Sequence, residues 1–462
     1  MLLRPGIAAG HPATADAGAE VLDARGSATD AAVAASLASC VAETVMTGLL
    51  GGGHAIVWDA EAGRAKLLDF FVAVPGLGAE QRDVDLVELH VPFGTEMVHY
   101  AIGVGSCAVP GVAAGLGELW RRHGRLPWQD VVEPALRLAR DGVEMPPAHA
   151  SCLAMLAPVM TMREGARMYA PGGRLLETGD RLEQPGLVEA LEALRDEGAR
   201  SATDGTLADA LLRLVDERGG LVTREDLRTY EPAWLDPEET RYADRRVLTR
   251  GGLSGLIPAL QALPPLRGVA RTERARALLA ALGAAHGLGR TTNLTVVDDA
   301  GNACVVTTSL GLGSGDWLPG LDLHLNSMLG ETDLLVGPLE PGTRMASMMA
   351  PTVVLADGEP ELAIGAAGGT RLRSALVQVT ASILEDGLSE QEAVERPRIH
   401  PVGDVVHVEP GVEEEVLSAL EGDRRTVRRW PALHHYFGGV SAIGRQGLGA
   451  DPRRSGAARA RR

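Results

Sequence analysis

The sequence predicts an α/β (α+β) protein in which central sheets carry helices on their outer faces, and two observations point there. Before residue 291 the apolar residues recur mostly at three- and four-residue spacing, as on helices; after it, short β-branched runs separated by glycine-rich turns dominate. Both kinds of segment are interleaved without an internal repeat, so one integrated domain is expected, with the sheets covered on their outsides.

Residues 11 to 46 read as two helices, the second capped by Ser27 or Thr29 and rich in alanine. Thr47-Gly-Leu-Leu-Gly-Gly-Gly-His54 then leads into a strand Ala55 to Asp59. This glycine run reads either as a phosphate-binding loop, for which the following lysine is missing, or as a packed turn between helix and sheet. A strand from Lys66 to Val74 stops at Pro75, and helices follow over Val112 to His123, Gln129 to Arg140, Gly186 to Glu197 and within 207 to 230. Between Tyr230 and Arg290 the signal is weak: Tyr242 to Thr249 reads as one strand, Gly251 to Leu256 as a turn, Thr272 to Gly283 as a helix. Strands over Pro351 to Leu355 and Glu361 to Ile364 run into Gly365-Ala-Ala-Gly-Gly-Thr370, and Arg371 to Glu385 reads as a helix.

Composition narrows the function. With 462 residues, 45% of them hydrophobic and only 3% aromatic, the chain has a globular interior of Ala, Val and Leu. Its 61 acidic against 44 basic residues give a net charge of −17, which argues against nucleic acid or an anionic membrane as partner. Lys66 is the only lysine, so covalent catalysis through a lysine amine has almost no candidate. Cys40, Cys107, Cys152 and Cys304 form no CxxC pair and read as buried thiols, and no metal-ligand pattern occurs, so no cofactor is expected. His434-His435 reads as a structural or surface pair, and the arginines from Arg453 to Arg462 as a frayed tail. The start of the chain lacks a signal-peptide pattern and no apolar run of spanning length occurs, so a cytoplasmic protein with a small-molecule substrate is expected.

The segment with the most chemical content is Arg290 to Ser309. Leu294 to Val297 and Ala303 to Val306 read as a hairpin about Asp299-Ala-Gly-Asn302. A turn centred near Ala300 sets Thr291 opposite Ser309 and Asn293 opposite Thr307, so hydroxyls face each other at one end. Paired threonines at a strand start are also ordinary strand sequence. The chemical reading is a cut before Thr291, leaving a threonine whose own α-amine serves as base for its hydroxyl.

The chain resembles the γ-glutamyltransferase (γ-glutamyltranspeptidase, glutathione hydrolase) family of N-terminal nucleophile hydrolases. The resemblance rests on His11-Pro12, Gly26 to Ala35, Gly51-Gly-Gly53, Val109-Pro-Gly111, Gly124-Arg-Leu-Pro-Trp128 and Gly219 to Leu227. It continues through Thr291-Thr292, Ala346-Ser-Met348, Gly365 to Gly369, Phe437-Gly-Gly-Val440 and Ala450-Asp-Pro-Arg-Arg454, in family order along nearly the whole chain. It implies an αββα sandwich made as a precursor and cut between Arg290 and Thr291. Segments 1–290 and 291–462 would stay associated because they share sheets, and higher oligomers stay open. Thr291 is then the nucleophile of processing and turnover, through an acyl-enzyme. Gly368 and Gly369 are the implied oxyanion donors, Ser309 orients the nucleophile, and Thr307 is a weaker candidate for that role.

The departures concern the substrate. Where the family carries an arginine for the substrate carboxylate, this chain has Phe71, which removes charge-assisted bonds of about 1.5–3 kcal/mol. One serine of the family's pair is Ala346, leaving Ser347 beside Met348; the aspartate expected for the substrate amine is missing, with Glu331 close by; Asn293 replaces a histidine. The stretch from Glu273 to Arg290 is also shorter than in the family. A hydrolase or acyltransferase working on an amide or acyl substrate other than a γ-glutamyl one is therefore expected. Cleavage of a carbon–carbon bond by the same threonine, and an uncut, inactive binding protein, are the alternatives.

Overall fold

Two stacked antiparallel sheets form the centre of the computed structural model, which describes residues 2–79, 84, 86–93, 96–283, 291–369 and 371–461. The first sheet has seven strands, in the order Ala457–Ala460, Gly6–Ala9, Thr292–Val297, Ala303–Ser309, Gly52–Asp59, Arg64–Phe70 and Ala233–Leu235. The second has six: Leu448–Ala450, Gly439–Gly444, Glu359–Ala367, Thr352–Ala356, Arg245–Thr249 and Glu238–Tyr242. Each sheet takes strands from both sides of residue 290, because neighbours in the sheets are not neighbours in sequence.

Strand alternation sorts the side chains into layers. In Thr292–Val297, Leu294 and Val296 join the core under the helices, while Val297 joins Ile56, Trp58 and Val305 in the core between the sheets. Val353, Leu355, Ala363 and Ile443 meet them there from the second sheet. Outside the first sheet lie Pro12–Asp23, Ala28–Ala42, Val112–His123 and Trp128–Asp141. Outside the second lie Leu256–Ala262, Arg271–Leu282 and Arg371–Leu384. The result is the expected αββα sandwich.

Local chemistry explains the boundaries. Ser27, not Thr29, caps the second helix: its hydroxyl accepts from Asp30 N–H at 3.0 Å while the Asp30 carboxylate accepts from Ser27 N–H at 2.9 Å. The same carboxylate holds the Arg125 amide at 2.9 Å, tying the helix to a loop. The glycine run is a packed turn and not a ligand loop: a Cβ at Gly51 would lie 2.2 Å from the Ser309 carbonyl, and one at Gly53 2.5 Å from that of Thr307.

Three sequence expectations are corrected. Within Tyr242 to Thr249 the strand is Arg245–Thr249; Tyr242 ends the paired strand Glu238–Tyr242, and Ala243 and Asp244 turn between them at φ 47° and 59°. Several helices escape the periodicity reading, among them Gly165–Tyr169, Glu390–Glu395, Glu414–Gly422 and the two that follow. Pro147–Met160 has apolar residues all around it, and Leu256–Ala262 is a short piece after a glycine turn. The C-terminal arginines are not a frayed tail. Arg453 is buried with its Nε 2.6 Å from Glu409 and a terminal nitrogen 3.1 Å from Asp451, and Ala457–Ala460 is an edge strand beside Gly6–Ala9. A charge run reads as solvated until the fold supplies its counter-ions, which a sequence does not display. All four cysteines are buried free thiols, as expected. Among the described residues no helix is long and apolar enough to cross a membrane.

Candidate active site

Thr291 stands just ahead of the central strand Thr292–Val297, at the end of the first sheet, with 4% of its surface exposed. The hairpin pairs Thr292 with Thr308 and Asn293 with Thr307, so one further rung sets Thr291 against Ser309, the register that counting from the turn predicts. Alternation then separates two surfaces. Thr291, Asn293, Thr295 and Val297 share the face toward the second sheet, and Thr292, Leu294 and Val296 the face toward the helices. The hydrogen bonds agree: Thr295 donates to the Ser441 carbonyl of the second sheet at 3.0 Å, while Thr292 donates to Glu43 at the end of the helix Ala28–Ala42.

A pocket of about 310 Å³, counted with the solvent at its mouth, opens in front of Thr291. It gathers Phe71, Ser309, Glu331, Ser347, Met348 and Gly369, residues spread over almost three hundred positions and all singled out from the sequence. Ser309 ends the neighbouring strand, and its hydroxyl accepts the Gly311 N–H at 3.0 Å. Gly369 follows the strand Glu359–Ala367 at φ 59°, and Gly368 has φ 130°, a backbone that a side chain would strain. Their carbonyls accept from Leu372 and Arg371 at 3.1 and 3.2 Å, opening the helix Arg371–Leu384. The positive end of that helix is thereby set beside the pocket, where negative charge is favoured. Gly368 lies one residue behind the pocket wall, and Thr307 is one rung deeper and spends its hydroxyl on Asn293 Oδ1 at 2.7 Å. Arg290, on the other side of the expected cut, and Thr370 fall outside the described residues.

The wall opposite the hydroxyls is apolar. Phe71 packs with Met328, Leu334 and Met349, residues the sequence reading passed over because scattered methionines carry no local signal. Its backbone is fixed: the N–H donates to Asp69 at 2.9 Å, and the carbonyl accepts from Tyr230 at 2.6 Å and from Arg344. The Phe71 ring stacks on His54, centroids 5.6 Å apart. No lysine, arginine or histidine is among the described residues lining this pocket, and Glu331, 4% exposed, is its ionisable group.

Behind Thr291 the chemistry is polar. The Glu43 carboxylate accepts from Thr14 at 2.7 Å and from Thr292, and a Cβ at Gly10 would sit 2.7 Å from it. Burial raises the Glu43 pKa, opposed by the two threonine hydroxyls and by Arg454. Glu43 was missed from sequence, where it is a lone acid between an alanine-rich helix and a glycine run. Nearby, His11 caps the helix Pro12–Asp23, its Nδ1 accepting from Ala13 N–H at 3.0 Å, and burial brings its pKa down to about 4. His434 likewise caps a turn through Nδ1, accepting from Tyr436 N–H at 3.1 Å, and His435 is buried, so the pair is structural.

Two central sheets between helical layers, with a threonine at the head of a central strand, define the fold of the N-terminal nucleophile hydrolases. Residues 14–280 and 271–461 match the family model described as gamma-glutamyltranspeptidase, and the chain belongs to that family. It is 28% identical to the acylase ACY 1 proenzyme of Pseudomonas sp. (strain SE83), over 95% of this chain and 89% of that one. It is 26% identical to the glutathione hydrolase proenzyme of Bacillus subtilis (strain 168), over 90% and 84%. The crystal structure of cephalosporin acylase from Bacillus halodurans superposes with a TM-score of 0.84 over 99% of this chain and 96% of its own, at 23% identity, a likeness of fold. These relatives are enzymes, and the chain is an enzyme of their family.

Proposed function

We propose that the chain is a self-processing hydrolase, cut between Arg290 and Thr291, that releases an apolar acyl group from an amide. The observation that carries this reading is the pocket joining Thr291, Ser309 and Gly369 to a wall of Phe71 and methionines, with no cation among its described lining. A γ-glutamyl group presents an α-carboxylate, and burying that carboxylate without a counter-charge costs several kcal/mol (about 2 or more). An apolar acyl chain loses nothing there, and a hydrogen-bond donor on it finds the carboxylate of Glu331. The acylase relatives fit an acyl group other than γ-glutamyl.

The steps follow from the groups present. The α-amine freed at Thr291 takes the proton of its own hydroxyl as the oxygen bonds to the substrate carbonyl carbon. The carbonyl oxygen gathers the negative charge beside Gly368 and Gly369 at the helix start. Collapse breaks the carbon–nitrogen bond, the amine hands its proton to the leaving nitrogen, and an ester on Thr291 remains. Water, deprotonated by the same amine, cleaves that ester and restores the hydroxyl.

The test is turnover of three p-nitroanilides by the purified protein: γ-glutamyl, phenylacetyl and L-phenylalanyl. The expected result is a kcat/KM at least about tenfold higher for one of the apolar acyl groups than for γ-glutamyl, matching the lost arginine bonds. Faster γ-glutamyl turnover refutes the substrate reading while leaving the nucleophile standing.

A further inference from the structure

A second recess, remote from Thr291 and assigned no role by the reaction above, lies on the outer side of the six-stranded sheet. It measures about 700 Å³, counted with the solvent at its mouth, and lies between the helix Arg271–Leu282 and the segments around Ser382, Arg396 and Gly411. One wall therefore precedes residue 290 and the other follows it. The floor is apolar, made by Leu278, Val379, Ile399 and Val416.

The charged lining is one-sided: Arg271, Arg274, Arg396 and Arg398 against Glu413. In a chain of net charge −17 this concentration of arginine stands out against the overall field. Arg274 and Arg396 converge on the carboxylate of Asp386, with Arg274 at 3.0 Å, and Glu385 also acts on Arg274. Arg271 pairs with Glu413, and Arg398, 2% exposed, pairs with Asp451 at 2.5 Å and keeps its Nε without a partner. Burial pushes the Arg274 and Arg398 guanidinium pKa values down, so an added anion would relieve partly desolvated cations. A recess with an apolar floor and convergent guanidinium groups has the build of a small-molecule site.

We propose that this recess binds a soluble monoanion with an apolar chain or ring, its carboxylate or sulfonate lying among Arg271, Arg274 and Arg396 and its body on Leu278 and Val379. The occupant bridges the segments before and after residue 290, so it holds them together. The site is independent of the Thr291 chemistry.

Calorimetric titration of the full-length protein with octanoate, and with octan-1-ol as its neutral counterpart, tests the site. Saturable octanoate binding is expected, about tenfold or more tighter than octanol, weakened about tenfold by Arg271→Gln or Arg396→Gln and unchanged by Thr291→Ala. Arg271 is 68% exposed in its side chain, so its replacement leaves the fold intact, as circular dichroism would verify. Absence of saturable binding, equal affinity for octanol, insensitivity to both arginine variants, or loss of binding in Thr291→Ala would each overturn the proposal.

Discussion

The two sides of Thr291 are built from opposite chemistry. Behind it, on the helix side of the sheet, Thr14, Glu43 and Thr292 form a hydrogen-bonded set packed so closely on Gly10 that a methyl group there would collide with it. In front, between the sheets, Phe71, Met328 and Met349 leave an open pocket in which the hydroxyls of Ser309 and Ser347 and the carboxylate of Glu331 are the polar groups. The polar side ties the strand that follows Thr291 to the helix layer, and the apolar side lines the pocket.

Three changes sharpen or break the comparison. The largest effect is expected from Thr291→Ala, which removes the oxygen proposed to attack: kcat/KM should fall by on the order of 10³ or more, measured with the best p-nitroanilide. The next belongs to the polar side. Glu43→Ala strands two buried hydroxyls and should destabilise the protein by about 2–4 kcal/mol in denaturant titration, with Glu43→Gln costing less because an acceptor oxygen remains. Equal stability of Glu43→Ala and the native chain would show that the set behind Thr291 does not hold the strand. The smallest effect is a pH dependence. The unfolded chain protonates His11 near 6.5 and the folded chain near 4, so this histidine's contribution is complete above 6.5 and is lost as pH falls toward 4. Thermal melts should show Tm dropping by about 1–2 °C less between pH 6.5 and 5.5 in His11→Asn, whose amide keeps the cap.

Much of this arrangement was legible from residues in order. The hairpin register followed from the position of Asp299-Ala-Gly-Asn302, because the two-residue period of strands makes counting sufficient. Helices with one apolar stripe, such as Val112–His123 and Gly186–Glu197, were read to the residue. Helices whose sequence is apolar all round, such as Pro147–Met160, show no stripe although one face is exposed. Phe71, Ser309, Glu331, Ser347, Met348 and Gly369 carry motif signals and do meet in one pocket, whereas Thr307 lies outside its lining and donates its hydroxyl to Asn293 across the hairpin. Glu43, Arg453 and the methionine wall were hidden for one reason. Each draws its meaning from partners far away in sequence, which only the fold brings within reach.

The central claim is that Thr291 becomes a chain terminus, and intact-mass spectrometry of the purified protein addresses it directly. The account predicts two chains, of 290 residues and of 172 (462 minus 290), the second beginning with Thr291, and a single uncut chain in the Thr291→Ala variant. A native protein that stays whole at 462 residues, or is cut at another bond, would contradict it.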